Sequence, residues 1–319
     1  MRVRLIANPS ASRVAPALVD GVVARLSAVA DVELRRTERA GHATELAAEP
    51  GADVVIGMGG DGTANEIVNG VAAGAVVGVI PAGATSVLAR QLGLPAKPLP
   101  AATMLAAAIE EQRWRPLGLG SLNGRLFTFA AGFGIEAEAM RLVAERRAAR
   151  PDHRRPGDIA VVGAAISVLR ADRFSLRERM TIRTGGGEVR AAYVAIANGH
   201  PYTYFGRIPV RTAPRAGPGS ALDAVAVGGL RPAQLWRLAA YGLVWPRHAS
   251  GRDSHVVYLH DIDALDLAAD VPLAAHVDGE YMGLIESAEV RYRPGAVRVL
   301  IPPAAAASFP VPGPAAAGR

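Results

Sequence analysis

The alternation of apolar and polar positions changes character once along the chain. Through the first 120 residues, short apolar runs take turns with helix-spaced stretches. Strands are predicted at residues 2–7, 32–36, 53–57 and 76–80. Helices are predicted at 15–29, 43–48, 64–73, from 85 to 91 and at 98–112. The run at 53–57 (DVVIG) is apolar on consecutive positions, as a parallel strand covered on both faces requires. Strand–helix alternation predicts a parallel sheet with helices on its faces. After Trp114 short strands dominate, at 126–131, 180–184, 189–197, 222–227, 254–259, 264–268, 290–292 and 297–301. Period-two alternation at Val256 and Tyr258, then Leu265 and Leu267, predicts an antiparallel β-sandwich. Two helices, 136–147 and 232–244, interrupt it. Residues 146–155 read as a charged loop. The expected organisation is an α/β domain at 1–120, a β-sandwich domain at 121–301 and a Pro/Ala-rich tail at 302–319.

Composition narrows the chemistry. Half of the 319 residues are hydrophobic and a fifth are charged, so a sizeable core is available and overall disorder is excluded. Cysteine is absent, which removes disulfides, thiolate nucleophiles, iron–sulfur clusters and cysteine-type zinc sites. The histidines show no HxxxH or HExxH spacing, so zinc is not supported. The formal charge is +6, carried by arginine with Lys97 as the one lysine. No run of four basic residues occurs, so no nucleic-acid partner is expected. The uncharged stretch at 69–89 is broken by glycines and Pro81, and the apolar run at 159–169 is too short to span a bilayer. The expectation is a soluble protein with peripheral membrane contact at most.

The sharpest motif is Gly57-Met58-Gly59-Gly60-Asp61-Gly62-Thr63-Ala64-Asn65-Glu66, which follows the buried strand and opens a helix. Glycines let backbone N–H groups approach an anion, and the helix N-terminus adds its dipole. Asp61 within such a loop makes sense if it holds a metal or water that faces a triphosphate. The plainer alternative is a strand-to-helix turn with Asp61 as N-cap. The loop is not a Walker motif, because no Gly-Lys-Ser/Thr follows, and the first strand–helix turn lacks a Rossmann glycine pattern.

GGDGTANEIVNG resembles the core motif of the diacylglycerol kinase catalytic-domain family, shared by bacterial lipid kinases, sphingosine kinases and ceramide kinases. Asn8-Pro9-Ser10 resembles that family's opening turn. Thr37 with Gly41-His42-Ala43 resembles its second nucleotide-contact segment. Residues 81–90, with Gly83 and Thr85, resemble its P-G-T-x-N-x-F-A-R loop. Residues 131–137 resemble the start of its second domain, and Val277-Asp278-Gly279-Glu280 resembles its late DGE motif. The resemblance implies an N-terminal domain of the NAD kinase/phosphofructokinase-like class that binds ATP with Mg2+. It implies nucleotide contacts from Asn8, Thr37, Gly59, Gly60, Asp61, Gly62, Thr63, Asn65, Glu66, Gly83 and Thr85, with Asp61 on the ATP-bound Mg2+. It implies that Glu280, Asp278 and Asp61 carry catalysis, with Glu280 as general base toward a lipid hydroxyl. The bare residue pattern also allows a hairpin turn at Asp278-Gly279 with Glu280 merely exposed. Diacylglycerol is the expected acceptor at a membrane surface, placing the protein in the cytoplasm against the inner face. A homodimer is a further expectation, and the tail after residue 301 is expected to return to the first domain.

Three positions depart from the family pattern. Ser12 stands where a glycine is usual. Ser86-Val87 replace Asn-Asp, which removes a carboxylate beside Asp61. Gly219-Ser220 replace an Asp-Gly turn that holds a structural magnesium, and Asp223 is a poor substitute, so that metal is not expected. These departures keep open a catalytically weak nucleotide- or lipid-binding homologue. An NAD kinase-type phosphotransferase shares GGDGT and is the third reading.

Overall fold

The computed structural model describes residues 1–149, 158–206, 208–217, 220–235 and 255–302. The chain forms two compact units. One is Met1–Leu119 with Arg293–Arg319, of which 303–319 lie outside the described residues; the other is Gly120–Tyr292.

In the first unit β1 (Arg2–Ala7), α1 (Pro16–Ser27), β2 (Asp31–Arg36), α2 (His42–Ala48), β3 (Val54–Gly59), α3 (Asp61–Gly70) and β4 (Val76–Pro81) follow in strict alternation. Then come α4 (Val87–Gln91), α5 (Pro98–Glu110) and the start of β5 (Trp114–Leu122). The strands are parallel in the order β2, β1, β3, β4. Every residue of β3 and β4 is buried, which is why their sequences are apolar at consecutive positions. The end of β16 (Glu280–Leu300) extends this sheet, with Arg298 opposite Val76 and Val299 opposite Val77 in parallel register. α1 begins where Pro16 allows, since the first helical residue needs no hydrogen-bonded N–H. Arg4, 4% exposed, reaches Glu33 at 2.9 Å and the carbonyls of Leu46, Glu49 and Pro50, so its buried charge is fully partnered.

The second unit is strand-rich. β6 (Arg125–Phe127) and β7 (Ala130–Phe133) lead to α6 (Ile135–Ala148) and α7 (Asp158–Ala171). β8 (Met180–Thr184), β9 (Gly187–Ala191), β10 (Tyr193–Ala197), β11 (Thr203–Phe205), β12 (Ile208–Val210), β13 (Leu222–Val227), β14 (Val256–Ile262) and β15 (Ala264–Val277) follow. The path β14-β13-β10-β7-β15-β16 is antiparallel. β15 changes neighbours along its length. Asp266–Ala269 pair with β8, whereas Ala275–Val277 pair with β7. The strands thereby enclose one apolar core that includes Phe127, Phe133, Ile182, Ile196, Leu265 and Val290.

Several expectations change. The strand expected at 126–131 divides into β6 and β7, and that expected at 189–197 into β9 and β10. The apolar run at 159–169, left without an element, is the body of α7. Residues 146–148 end α6 rather than begin a loop. The strand expected at 264–268 continues to Val277, because Asp270 at its exposed middle is paired with Arg190 at 2.9 Å rather than forming a turn. The strands expected at 290–292 and 297–301 are parts of the single β16. The helix expected at 232–244 is described only as the short 3₁₀ turn Pro232–Gln234; 236–254 lie outside the described residues, as does Gly219.

Candidate functional site

In the first unit β3 runs two residues past its expected end and carries Met58 and Gly59 directly into the glycine loop. The N-cap of α3 is Gly60, not Asp61 as the plainer reading had it. The Asp61 carboxylate, on a residue 7% exposed, instead accepts the backbone N–H of Val87 at 2.6 Å. Val87 opens α4, so one charged side chain ties the first turns of two helices together. Ser86 just before it lies in the left-handed region, with φ 50°.

The glycines of the loop do different jobs. A Cβ on Gly59 would lie 2.4 Å from Thr63 Oγ1, and one on Gly83 would lie 2.5 Å from the Cα of Gly60. Both positions require close packing. A Cβ on Gly60 would meet nothing nearer than 3.5 Å. Gly60, Gly62 and Thr63 therefore present the unclosed first turn of α3, a cradle of backbone N–H groups suited to an anion. From the end of β1, Asn8 Nδ2 donates to Thr63 Oγ1 at 3.0 Å, while Asn8 Oδ1 accepts the N–H of Ser10 at 2.9 Å. Arg13 donates to the carbonyls of Ala84 and Ala96 at 3.1 and 2.9 Å and braces the loop that contains Gly83 and Thr85.

Three of the residues expected to contact nucleotide have partners within the protein. Glu66 accepts the N–H groups of Gly41 and Ala43, each at 3.0 Å, and so caps the start of α2. It thereby positions the 41–43 segment. Asn65 is 1% exposed, with Asn69 Nδ2 3.3 Å from its Oδ1. Thr37 directly follows β2 and donates its N–H to the carbonyl of Ala7 at 3.0 Å.

In the second unit Asp278-Gly279 is a two-residue hairpin turn joining β15 to β16, with φ 48° and 76°, the backbone that Asp-Gly favours. Asp278 is 1% exposed. Its carboxylate accepts the Thr128 N–H at 2.7 Å, the Thr128 hydroxyl at 2.8 Å, and the N–H groups of Phe129 and Ala130 at 3.0 Å. A carboxylate so surrounded by donors is an anchor for the segment leading into β7. These contacts give Asp278 a positioning role in the fold, beside the catalytic role expected of it. Glu280 begins β16 with its side chain 44% exposed, and Arg125 holds its Oε2 at 3.0 Å. The hairpin and the exposed carboxylate coexist.

Sequence reasoning missed a cluster on the same hairpin. His276 is 1% exposed, and its Nε2 lies 3.6 Å from Glu136 Oε2. That oxygen also accepts the hydroxyls of Tyr193 and Tyr202 at 3.0 and 2.9 Å. Burial opposes the Glu136 charge, but the adjacent His276 imidazole and the two hydroxyls together hold its carboxyl below the usual range. Burial, then the Glu136 charge, push both tyrosine hydroxyls well above theirs. The one available signal was Glu136 itself, an acidic residue directly after the Gly-Phe-Gly-Ile turn. Its partners lie 57 to 140 positions away and leave no local pattern.

Asp223, set aside as a metal ligand, is 0% exposed. It accepts His260 Nδ1 at 2.7 Å, the Asp261 N–H at 3.0 Å and the Tyr258 hydroxyl. Protein donors therefore satisfy this carboxylate.

Residues 2–121 match the family model of the diacylglycerol kinase catalytic domain. The diacylglycerol kinase of Bacillus subtilis (strain 168) is 41% identical over 97 residues, which is 29% of this chain and 31% of that protein. That of Staphylococcus saprophyticus is 34% identical over 143 residues, 41% of this chain and 45% of that protein. These matches span less than half the length of either relative. Among solved structures, a diacylglycerol kinase from Bacillus anthracis str. Sterne aligns over 95% of this chain and 98% of its own, with TM-score 0.69 at 19% identity. An NAD kinase from Archaeoglobus fulgidus in complex with ATP aligns over 96% and 95%, with TM-score 0.53 at 12% identity. At those identities the likeness is one of fold: an NAD kinase-like α/β unit followed by a strand-rich unit. By sequence, the likeness to the diacylglycerol kinase catalytic domain is confined to residues 2–121.

Proposed function

We propose that the protein is an ATP-dependent lipid kinase that transfers the γ-phosphoryl group to a lipid hydroxyl, with diacylglycerol the acceptor and phosphatidic acid the product. The observation that carries this reading is the cradle at Gly60–Thr63, beside the Asp61–Val87 bond, inside the segment that matches the family model. Phosphoryl transfer needs little covalent help from protein; it needs phosphate oxygens fixed and their charge offset. The first turn of α3 supplies backbone N–H groups for that purpose. Among the described residues no three His, Cys, Asp or Glu side chains converge on a metal cage. Asp61 brings a single carboxylate beside the cradle, a donor set that fits Mg2+ held mainly by phosphate oxygens and water. When bound, the ion offsets charge on the transferring group.

Glu280 is the group we assign to the acceptor hydroxyl. Arg125 fixes one of its oxygens, and Oε1 has no hydrogen bond among the described residues. A carboxylate so oriented can take the hydroxyl proton as the phosphoryl group arrives. Asp278 sets the turn from which Glu280 projects. No described helix is long and apolar enough to cross a membrane. In this reading the lipid is met at a bilayer surface, the inner face of the cell membrane. The test is labelled ATP with a panel of extracted lipids. Label entering phosphatidic acid supports the assignment. Label entering only NAD, or no product from a protein that binds ATP, overturns it.

A further inference from the structure

The outward face of α7 has no function in the scheme above. Residues 160–169 (AVVGAAISVL) carry no charge, yet α7 is not enclosed. Its inner side, Val161, Ala164 and Ala165, packs against Ala139, Leu142 and Val143 of α6. Its outer side shows Val162 at 43% and Ile166 at 44% exposure. The same line of positions four apart continues through exposed Arg170 to Phe174, 40% exposed just past the helix end. Arg173 and Phe174 are both left-handed, with φ 52° and 54°, and the Phe174 N–H returns to the carbonyl of Leu169 at 2.6 Å. This hook ends the helix and leaves Phe174 at the surface. Arg173 and Arg177 are exposed beside it, while Asp172 is paired with Arg179 at 3.5 Å. A solvent-facing helix ordinarily carries polar residues on this side. An apolar stripe that ends among arginines is instead the pattern of a helix lying in a lipid interface, its stripe among acyl chains and its cations at anionic headgroups.

We infer that the Val162–Ile166–Phe174 stripe with Arg170, Arg173 and Arg177 docks the protein on an anionic bilayer surface. The inference rests on the lipid-kinase reading for its purpose, but the contact itself is measurable without ATP. Charge decides between occupants: a second copy of this chain, at net +6, would bring like charges together, whereas an anionic bilayer complements them.

The experiment is flotation of the full chain with vesicles of phosphatidylcholine alone or mixed with phosphatidylglycerol, at low and high salt. Wild type should bind the mixed vesicles and release with salt. V162Q/I166Q should lower partition about tenfold or more, since each removes buried aliphatic carbons. R170Q/R173Q/R177Q should abolish the preference for the anionic vesicles. Both variants should keep the wild-type melting temperature, because the positions are exposed. Leu284→Gln, at an isolated exposed apolar site, should bind as wild type. Unchanged binding by V162Q/I166Q, or equal loss in Leu284→Gln, overturns the assignment. So does a wild-type dimer that V162Q/I166Q converts to monomer with vesicle binding intact. Phosphorylation of a dispersed short-chain diacylglycerol by V162Q/I166Q separates the two readings. Activity there with lost vesicle binding supports the docking face. Wild-type inactivity on that substrate counts against the kinase assignment while leaving the vesicle result intact.

Discussion

Asp61 holds the backbone N–H of Val87 across 2.6 Å of buried space, so the charge expected to serve a nucleotide also fastens the start of α4. Asp61→Asn keeps an oxygen that can accept the same N–H but removes the charge. Asp61→Ala removes both. Turnover should collapse in each variant. Only the alanine variant should also lose about 1.5–3 kcal/mol of stability, the scale of a hydrogen bond to a charged group. Paired turnover and denaturant-melting measurements check the separation; equal destabilisation by both would refute it.

Gly60 and Gly83 face each other, yet they should respond differently to one methyl group. Gly83→Ala places its Cβ 2.5 Å from the Gly60 Cα and should cost about 1–3 kcal/mol through overpacking. Gly60→Ala has room in the protein, with 3.5 Å to its nearest neighbour, and should melt as wild type. Its cost should appear in nucleotide binding, because the methyl group occupies the approach of phosphate oxygens. Calorimetric ATP titration beside thermal melts reads both quantities.

Asp278 and Glu280 stand two residues apart and should separate stability from chemistry. Glu280→Gln should lower turnover about 10²–10⁴-fold, the usual scale for a lost general base, with little change in melting temperature. Asp278→Asn turns an NH2 group toward some of the donors from Thr128, Phe129 and Ala130. It should lose about 1–3 kcal/mol through unsatisfied buried groups. A Glu280→Gln variant with wild-type turnover would remove Glu280 from the mechanism.

Glu136 gives a pH prediction with a definite sign. Its folded pKa lies below the ordinary glutamate value of 4.5, so its ionised form adds stability above that value. The contribution is lost as pH falls below 4.5 toward the lowered folded value. Unfolding free energy of wild type should therefore decline more steeply through this window than that of Glu136→Gln. Parallel slopes would show that the His276 and tyrosine contacts do not favour the charged form.

The first unit was legible because each of its elements declares itself locally. DVVIG reads as a covered strand, Pro16 marks a helix start, and glycines punctuate the loop. α7 was not legible, because Val162 and Ile166 are apolar on an exposed face and the helical period disappears when both faces are apolar. The length of β15 was hidden by Asp270 and Pro272, which look like a turn until Arg190 is found beside the carboxylate. The role of Asp278 could not be read either. Its partners are mainly backbone N–H groups about 150 residues earlier, which no side-chain pattern records. Asp61 was recognised as important, while its bond to Val87 depended on a loop 26 residues on.

The parallel pairing of Arg298 and Val299 with Val76 and Val77 has a consequence for biosynthesis. The wholly apolar β4 is translated early, but its outer edge receives a partner only after residues 298 and 299 have left the ribosome. The Gly74 N–H bound to the Ala296 carbonyl and the Ile301 N–H bound to the Arg113 carbonyl belong to the same late closure. During that interval VVGVIP presents an unpaired, uncharged strand edge, the kind that recruits other chains. A nascent chain stalled before residue 296 should be a client for chaperones that shield such edges, and a version ending at Tyr292 should accumulate in inclusion bodies.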